Sequence, residues 1–135
     1  MYLIMVLIFS GLLRWGDMSN LGEFLSRLGN LHDCTVTLFE WRPDDRRMTF
    51  AIEDLYFNFK GFPEYRGPLA GRIVLEEIQR VDINLGGIEG PLRVDEFAIV
   101  VEGSSDASAV SVTFWPTGKI EVAYRRAVLP DIPLP

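Results

Sequence analysis

From residue 34 onward, apolar and polar positions alternate over most of the chain with a period of two, the pattern of half-buried β-strands. Only one earlier stretch has a different period. Leu21, Phe24, Leu25 and Leu28 fall at i, i+3, i+4 and i+7, which predicts a short amphipathic helix. Asn20 is placed to cap it, and Glu23 three residues later completes a capping-box pattern. Gly29 and Asn30 then supply residues that tolerate a left-handed C-terminal turn. Leu31-His32-Asp33-Cys34 opens the first long strand, which runs to Trp41. On a regular strand Cys34, Val36 and Leu38 share one face, and Thr35, Thr37, Phe39 and Trp41 share the other. Residues 42–46 form a turn, since proline fixes φ and the aspartates bond nearby amides.

The second strand is predicted from Arg47 to about Phe57, with Met48, Phe50 and Ile52 on one face. Leu55, Phe57 and Phe59 continue on the face that carries Glu53, so a bulge is expected near Asp54-Leu55. Residues 34–41 and 47–55 then read as a hairpin. The glycines and prolines of residues 61–71 make that stretch a loop, and Phe62, Tyr65 and Arg66 give it the residue types of a binding loop, unless the two aromatics tuck over the core edge, as most aromatics do. Residues 72–85 read as one bent strand or two short ones, with a slip around Glu77-Ile78. Residues 86–91 form a loop, Phe97–Val101 a buried strand, and Glu102–Asp106 a polar turn. Val110, Val112 and Phe114, then Ile120, Val122 and Tyr124, alternate on either side of Pro116-Thr117-Gly118, the clearest hairpin in the chain. The tally is one helix and six to seven antiparallel strands. This is a mainly β (α+β) chain, arranged as a sandwich or a partly closed barrel with the helix covering one end or face.

Composition narrows the partners. The 135 residues are 48% hydrophobic and 24% charged, ordinary globular usage, with a net charge of -6. That charge argues against nucleic acid, whose phosphates call for a basic surface, and suits either solubility or a basic protein partner. The single cysteine, Cys34, cannot form an intrachain disulfide, which points to a reducing cytoplasmic setting. Leu3–Phe9 is a continuous apolar run, but Arg14 and Asp17 interrupt it before the roughly 20 residues a membrane-spanning helix needs. Neither flank suits a secretory signal. Residues 1–17 therefore read as an apolar leader, or as an over-extended start ahead of Met18. Residues 18–129 form one β-rich domain, and residues 130–135 a proline-rich extended tail.

Candidate chemistry is sparse. His32-Asp33, with Cys34 or Asp54 nearby in sequence or fold, is the only combination approaching a metal or acid–base set. The competing reading is that His32 and Asp33 bond backbone amides at the helix-to-strand corner. Cys34 lies on the apolar face and reads as a small core residue. Paired acids such as Asp44-Asp45 and Asp95-Glu96 point to opposite faces of a strand and do not converge. Trp41, Trp115, Tyr56, Tyr65 and Tyr124, with Arg42, Arg125 and Arg126, are the residue types that dominate interface hot spots.

The short helix, the Leu31-His32-Asp33-Cys34 strand opening and the Trp41-Arg42-Pro43 turn resemble a group of small bacterial β-rich proteins. Some of these are classed as predicted immunity proteins of polymorphic toxin systems. The likeness spans about residues 19–60. It implies a non-enzymatic bacterial cytoplasmic protein that neutralises a partner by binding it, with no cofactor and no catalytic residues carried over. The expected interaction surface comprises His32, Asp33, Trp41, Arg42, Asp54, Tyr65 and Arg66. Two other readings compete with it. One is a β-barrel that binds a small ligand or lipid, and the other is an enzyme using His32 with Asp33 or Asp54.

Overall fold

The computed structural model describes residues 21–101 and 107–133. A seven-residue helix, α1 (Leu21–Arg27), leads through a tight turn into a single antiparallel sheet. The strands are β1 (Thr35–Arg42), β2 (Arg47–Ile52), β3 (Gly71–Glu76), β4 (Arg80–Asn84), β5 (Leu92–Val101), β6 (Ser108–Trp115), β7 (Lys119–Tyr124) and β8 (Arg126–Val128). Their order is β4-β7-β6-β5-β1-β2-β3-β8. The sheet is not closed, because the edge strands β4 and β8 pair only with β7 and β3. Eight strands exceed the six to seven expected. Residues 72–85 break into two, and Arg126–Val128 adds a short ladder beside β3 before the tail begins.

Register shows how one sheet surrounds one core. Val74, Leu75 and Glu76 pair with Val128, Ala127 and Arg126, and beyond the bend Arg80 through Asn84 pair with Ala123 back to Lys119. β3–β4 and β7–β8 are thus two bent strands that stay paired around the same corner. Gln79 N–H to Ala123 carbonyl (2.7 Å) and Arg125 N–H to Glu76 carbonyl (3.3 Å) bridge the bend. In the middle of the sheet the β1–β5 seam has only two paired rows, Thr35 with Arg93 and Val36 with Leu92. So short a seam lets the two halves fold over one another. Phe50 on β2 accordingly meets Phe97 on β5 edge-on, centroids 5.1 Å apart, although β1 separates their strands in the sheet.

The interior is filled by side chains from both halves. Met48, Phe50, Ile73, Leu75, Val94, Phe97, Val110, Val112 and Ile120 are all fully buried. The expected inward alternation of β2, β6 and β7 holds, and the α1 stripe of Leu21, Phe24, Leu25 and Leu28 is buried against the same core. Glu23 pairs with Arg27 at 2.9 Å across one helical turn. Asn20, the leader, the Glu102–Asp106 turn and the last two residues of the tail lie outside the described residues. Earlier in the tail, Leu129 and Ile132 pack on the core, and the Tyr56 hydroxyl donates to the Pro133 carbonyl.

Two strand readings are corrected. The bulge lies in β1, where the register slips between Val36 and Leu38, and not at Asp54-Leu55. The extra residue turns Leu38 outward, 40% exposed, and Phe39 and Trp41 inward, with the Phe39 ring tilted against Phe50, centroids 5.3 Å apart. β2 ends at Ile52 instead of near Phe57, and residues 57–59 form a short helical turn. Thr49 and Ala51 are buried on the outer side of β2 as well. They are short residues between Glu40 and Val74, and between Leu38 and Arg72, whose longer side chains shield them.

This register predicts opposite outcomes for two apolar truncations. Phe50→Ala should lower unfolding free energy by about 3–5 kcal/mol, as large-to-small changes in a packed core do. Leu38→Ala should change it by less than about 1 kcal/mol. Urea denaturation of both variants checks the slip, since a regular β1 would make Leu38 a core residue with a penalty near that of Phe50.

Candidate functional site

The turn between α1 and β1 is the most strained segment of the described backbone. Gly29, Asn30, Leu31 and Asp33 all have positive φ, at 69°, 53°, 56° and 65°. Asn and Asp visit this region with little penalty, whereas a leucine there costs about 1–2 kcal/mol. Burial of the Leu31 side chain, fully enclosed in the core, offsets that cost. Gly29 is required for a different reason. A Cβ at this position would sit 3.0 Å from the Asn58 side chain. Asn58 is itself pinned, donating to the carbonyls of Leu28 (3.2 Å) and His32 (3.0 Å).

This turn delivers His32 and Asp33 to the seam. The Asp33 amide donates to the Val94 carbonyl at 2.8 Å, and the Val94 amide to the Cys34 carbonyl at 2.9 Å, which extends the short β1–β5 ladder. On the outer surface the Asp33 carboxylate accepts from Arg93 Nη2 (2.9 Å) and Nε (3.1 Å). The Arg93 guanidinium lies over the Trp115 ring, 5.4 Å from its centroid, within cation–π range. Trp115 is the cross-strand partner of Arg93 and remains 59% exposed. Asp95 completes the group: its carbonyl meets His32 Nδ1 at 2.7 Å, and its carboxylate accepts from the Thr113 hydroxyl at 3.4 Å.

One ring nitrogen of His32 is hydrogen-bonded. Nδ1 faces a carbonyl and therefore carries a proton, while Nε2 lies 3.6 Å from Asp33 Oδ2. The bond to the Asp95 carbonyl raises its pKa above the ordinary value of 6.5; the Asp33 and Asp95 carboxylates add to this, and desolvation and Arg93 oppose it. The imidazole is thus oriented through Nδ1, with Nε2 turned toward the Asp33 carboxylate beyond hydrogen-bond distance on an exposed surface.

The remaining expected residues fall elsewhere. Trp41 packs half-buried against the core, and Arg42 is exposed, 3.1 Å from Asp45 and 3.9 Å from Glu40. Asp54 is buried and accepts from the Tyr56 amide (3.0 Å), the Leu69 amide (3.0 Å) and the Tyr65 hydroxyl (2.8 Å). It is the anchor of the 55–70 loop, not an acid facing His32. Burial and the Asp54 hydrogen bond raise the pKa of the Tyr65 phenol. Arg66 is exposed on that loop, and Phe62 projects at its tip, 61% exposed. Cys34 is buried, donates to the Asp54 carbonyl at 3.4 Å, and is pushed up to about 12 by burial and by the charges of Asp54 and Asp33. Such a thiol is not a nucleophile near neutral pH.

Arg93, Asp95 and Thr113 are the site residues that sequence reasoning missed. Arg93 and Asp33 are 60 residues apart, and only the β1–β5 register brings them together. Among the described residues no group of three or more His, Cys, Asp or Glu is placed to hold a metal ion. No family model, curated protein or solved structure matches the chain.

Two outcomes follow from these contacts. A histidine whose folded pKa is raised stabilises the fold fully below 6.5, and this contribution disappears as pH rises through the folded value. Wild-type stability should therefore fall relative to His32→Gln as pH rises above 6.5, measured by urea unfolding at each pH. Asp54→Ala should destabilise by about 2–3 kcal/mol, because three donors lose a charged acceptor. Accelerated proteolysis within residues 56–70 would locate the damage.

Proposed function

We propose that this chain is a non-enzymatic interaction module that binds a basic protein through the outer face of β5, β6, β7 and β4. The observation that carries the reading is Trp115, largely exposed yet held beneath an Arg93 guanidinium that Asp33 fixes in place. Trp and Arg are the side chains most often found at interface hot spots, and an anchor ordered before binding loses little entropy on docking.

The surrounding face is rich in acids. The bulge between Val94 and Glu96 accompanies two adjacent exposed acids, Asp95 and Glu96. Asp82 stands directly across from Glu121, and like charges at that spacing are destabilising. Lys119, 3.3 Å from Glu121, only partly compensates. Acids that cost stability beside an ordered Trp–Arg pair suit a cationic partner, in keeping with the net charge of -6. The resemblance to predicted immunity proteins gives this binding a purpose, occlusion of a toxin-like partner in a bacterial cytoplasm. A ligand-holding barrel is less favoured because the interior is occupied by Phe50, Phe97, Met48 and their neighbours. An enzyme is less favoured because Asp54 is committed to its own loop, away from His32, and Cys34 is a buried thiol.

Affinity capture from native lysate should yield a basic protein whose binding weakens as salt rises. With that partner in hand, Trp115→Ala should weaken binding by about 2 kcal/mol or more, and Phe62→Ala, on the remote loop, by little. Calorimetric titration of the two variants decides it. Undiminished binding by Trp115→Ala would remove this face from the reading.

A further inference from the structure

The sheet ends in two unlike edges. β8 has three residues and runs into Pro130 and Pro133, which lack amide donors, so little of that edge can pair. β4 has five residues, no proline and no register slip against β7. The neighbouring hairpin identifies which of its backbone groups are free. The Phe114 amide donates to the Gly118 carbonyl (3.0 Å), so the Lys119 amide, on the other side of the same peptide, faces β4. Backbone direction alternates from there, and the hydrogen-bonded pairs of the β4–β7 ladder are Lys119 with Asn84, Glu121 with Asp82 and Ala123 with Arg80. The Ala123 carbonyl, which accepts from the Gln79 amide at 2.7 Å, points the same way. The amides and carbonyls of Val81 and Ile83 therefore face away from β7, and no described strand lies beyond them.

The side chains of this edge are uncommitted too. Val81 and Ile83 share the inner side with Ile120 and Val122, and Ile83 is 38% exposed. Arg80 and Asp82 stand exposed on the outer side, and neither has an ion pair or side-chain hydrogen bond among the described residues. Asp82 moreover faces Glu121 across the ladder. Two copies of β4 can meet antiparallel in only a few two-fold registers. Centred on Asp82, the two Asp82 carboxylates oppose each other, and centred on Ile83, Asp82 meets Asn84 and Arg80 meets Gly86. Centred on Val81, Arg80 of each copy stands opposite Asp82 of the other. Charge complementarity thus selects one register, and it is one that the free Val81 amide and carbonyl can bond.

We infer that β4 pairs antiparallel with β4 of a second copy of this chain about Val81, joining two sheets edge to edge. The two Val81 residues exchange backbone hydrogen bonds, and each Ile83 amide reaches the Gln79 carbonyl of the second copy. Arg80 and Asp82 fall at non-hydrogen-bonded positions, where cross-strand side chains come closest, and form two symmetric ion pairs. Each pair offsets the repulsion between Asp82 and Glu121. The contact is isologous and closes as a dimer, since the same edge is used by both copies. It occupies the edge of β4 and leaves Trp115, Asp95, Glu96 and Glu121 on the open outer face of each copy. The dimer therefore stands or falls independently of the protein-partner reading.

The test is sedimentation equilibrium of the full chain over a concentration series at low salt, where a reversible monomer–dimer equilibrium is expected. Arg80→Asp and Asp82→Arg each set like charges opposite one another twice, and each should weaken the dimer about tenfold or more. The double variant carrying both changes restores opposite charges and should return the dimer to near wild-type strength. That recovery separates lost pairing from a damaged fold. Trp115→Ala, on β6 and away from the edge, should leave the equilibrium unchanged. A chain that stays monomeric throughout would overturn the inference. So would a dimer that either single reversal leaves intact, or one that the double variant fails to restore.

Discussion

The fold depends on how the turn at residues 29–34 docks against the start of β5. The seam between β1 and β5 has two paired rows, too few to hold two halves of a sheet together. The Asp33 and Val94 amide bonds lengthen it, Leu31 anchors it in the core, and Asn58 ties its carbonyls from the side. Strain at Leu31 is the cost of bringing the chain from a helix into the middle of the sheet. At the opposite side of the molecule the paired bends of β3–β4 and β7–β8 do the complementary work. They carry the sheet around the core without closing it.

The same turn links stability to the surface. Asp33 is held by its backbone in the seam and by its carboxylate on Arg93, so the force that joins the halves also orients the cation over Trp115. His32 reinforces that corner from the other side through Asp95. The exposed aromatic is therefore covered by a cation that one of the most constrained turns of the backbone holds in place.

Much of this was legible in the sequence, for identifiable reasons. The helix and the last hairpin have clean periods, and residues such as Leu25, Val112 and Val122 are buried as those periods require. Gly29 and Asn30 announced the left-handed turn, which the structure extends to Leu31, a residue whose propensity gives no such hint. The β1 bulge was missed because Leu38 and Phe39 are both apolar, so either register reads as plausible until Phe50 selects Phe39. Asp54 was legible as important and not as structural, since its three donors come from both ends of a loop. The Arg93–Asp33 pair left no local trace, because it is a product of long-range register.

The most direct measurement of this account is native-state hydrogen exchange at the Asp33 and Val94 amides, in wild type and in Asn58→Ala. If the turn is what joins the halves, both amides exchange only through global unfolding in the wild type. In Asn58→Ala their protection should drop together, with a simultaneous change in the Trp115 indole resonance, while β6–β7 amides stay protected. Rapid exchange at Asp33 and Val94 in the wild type, or a Trp115 signal indifferent to Asn58, would contradict it.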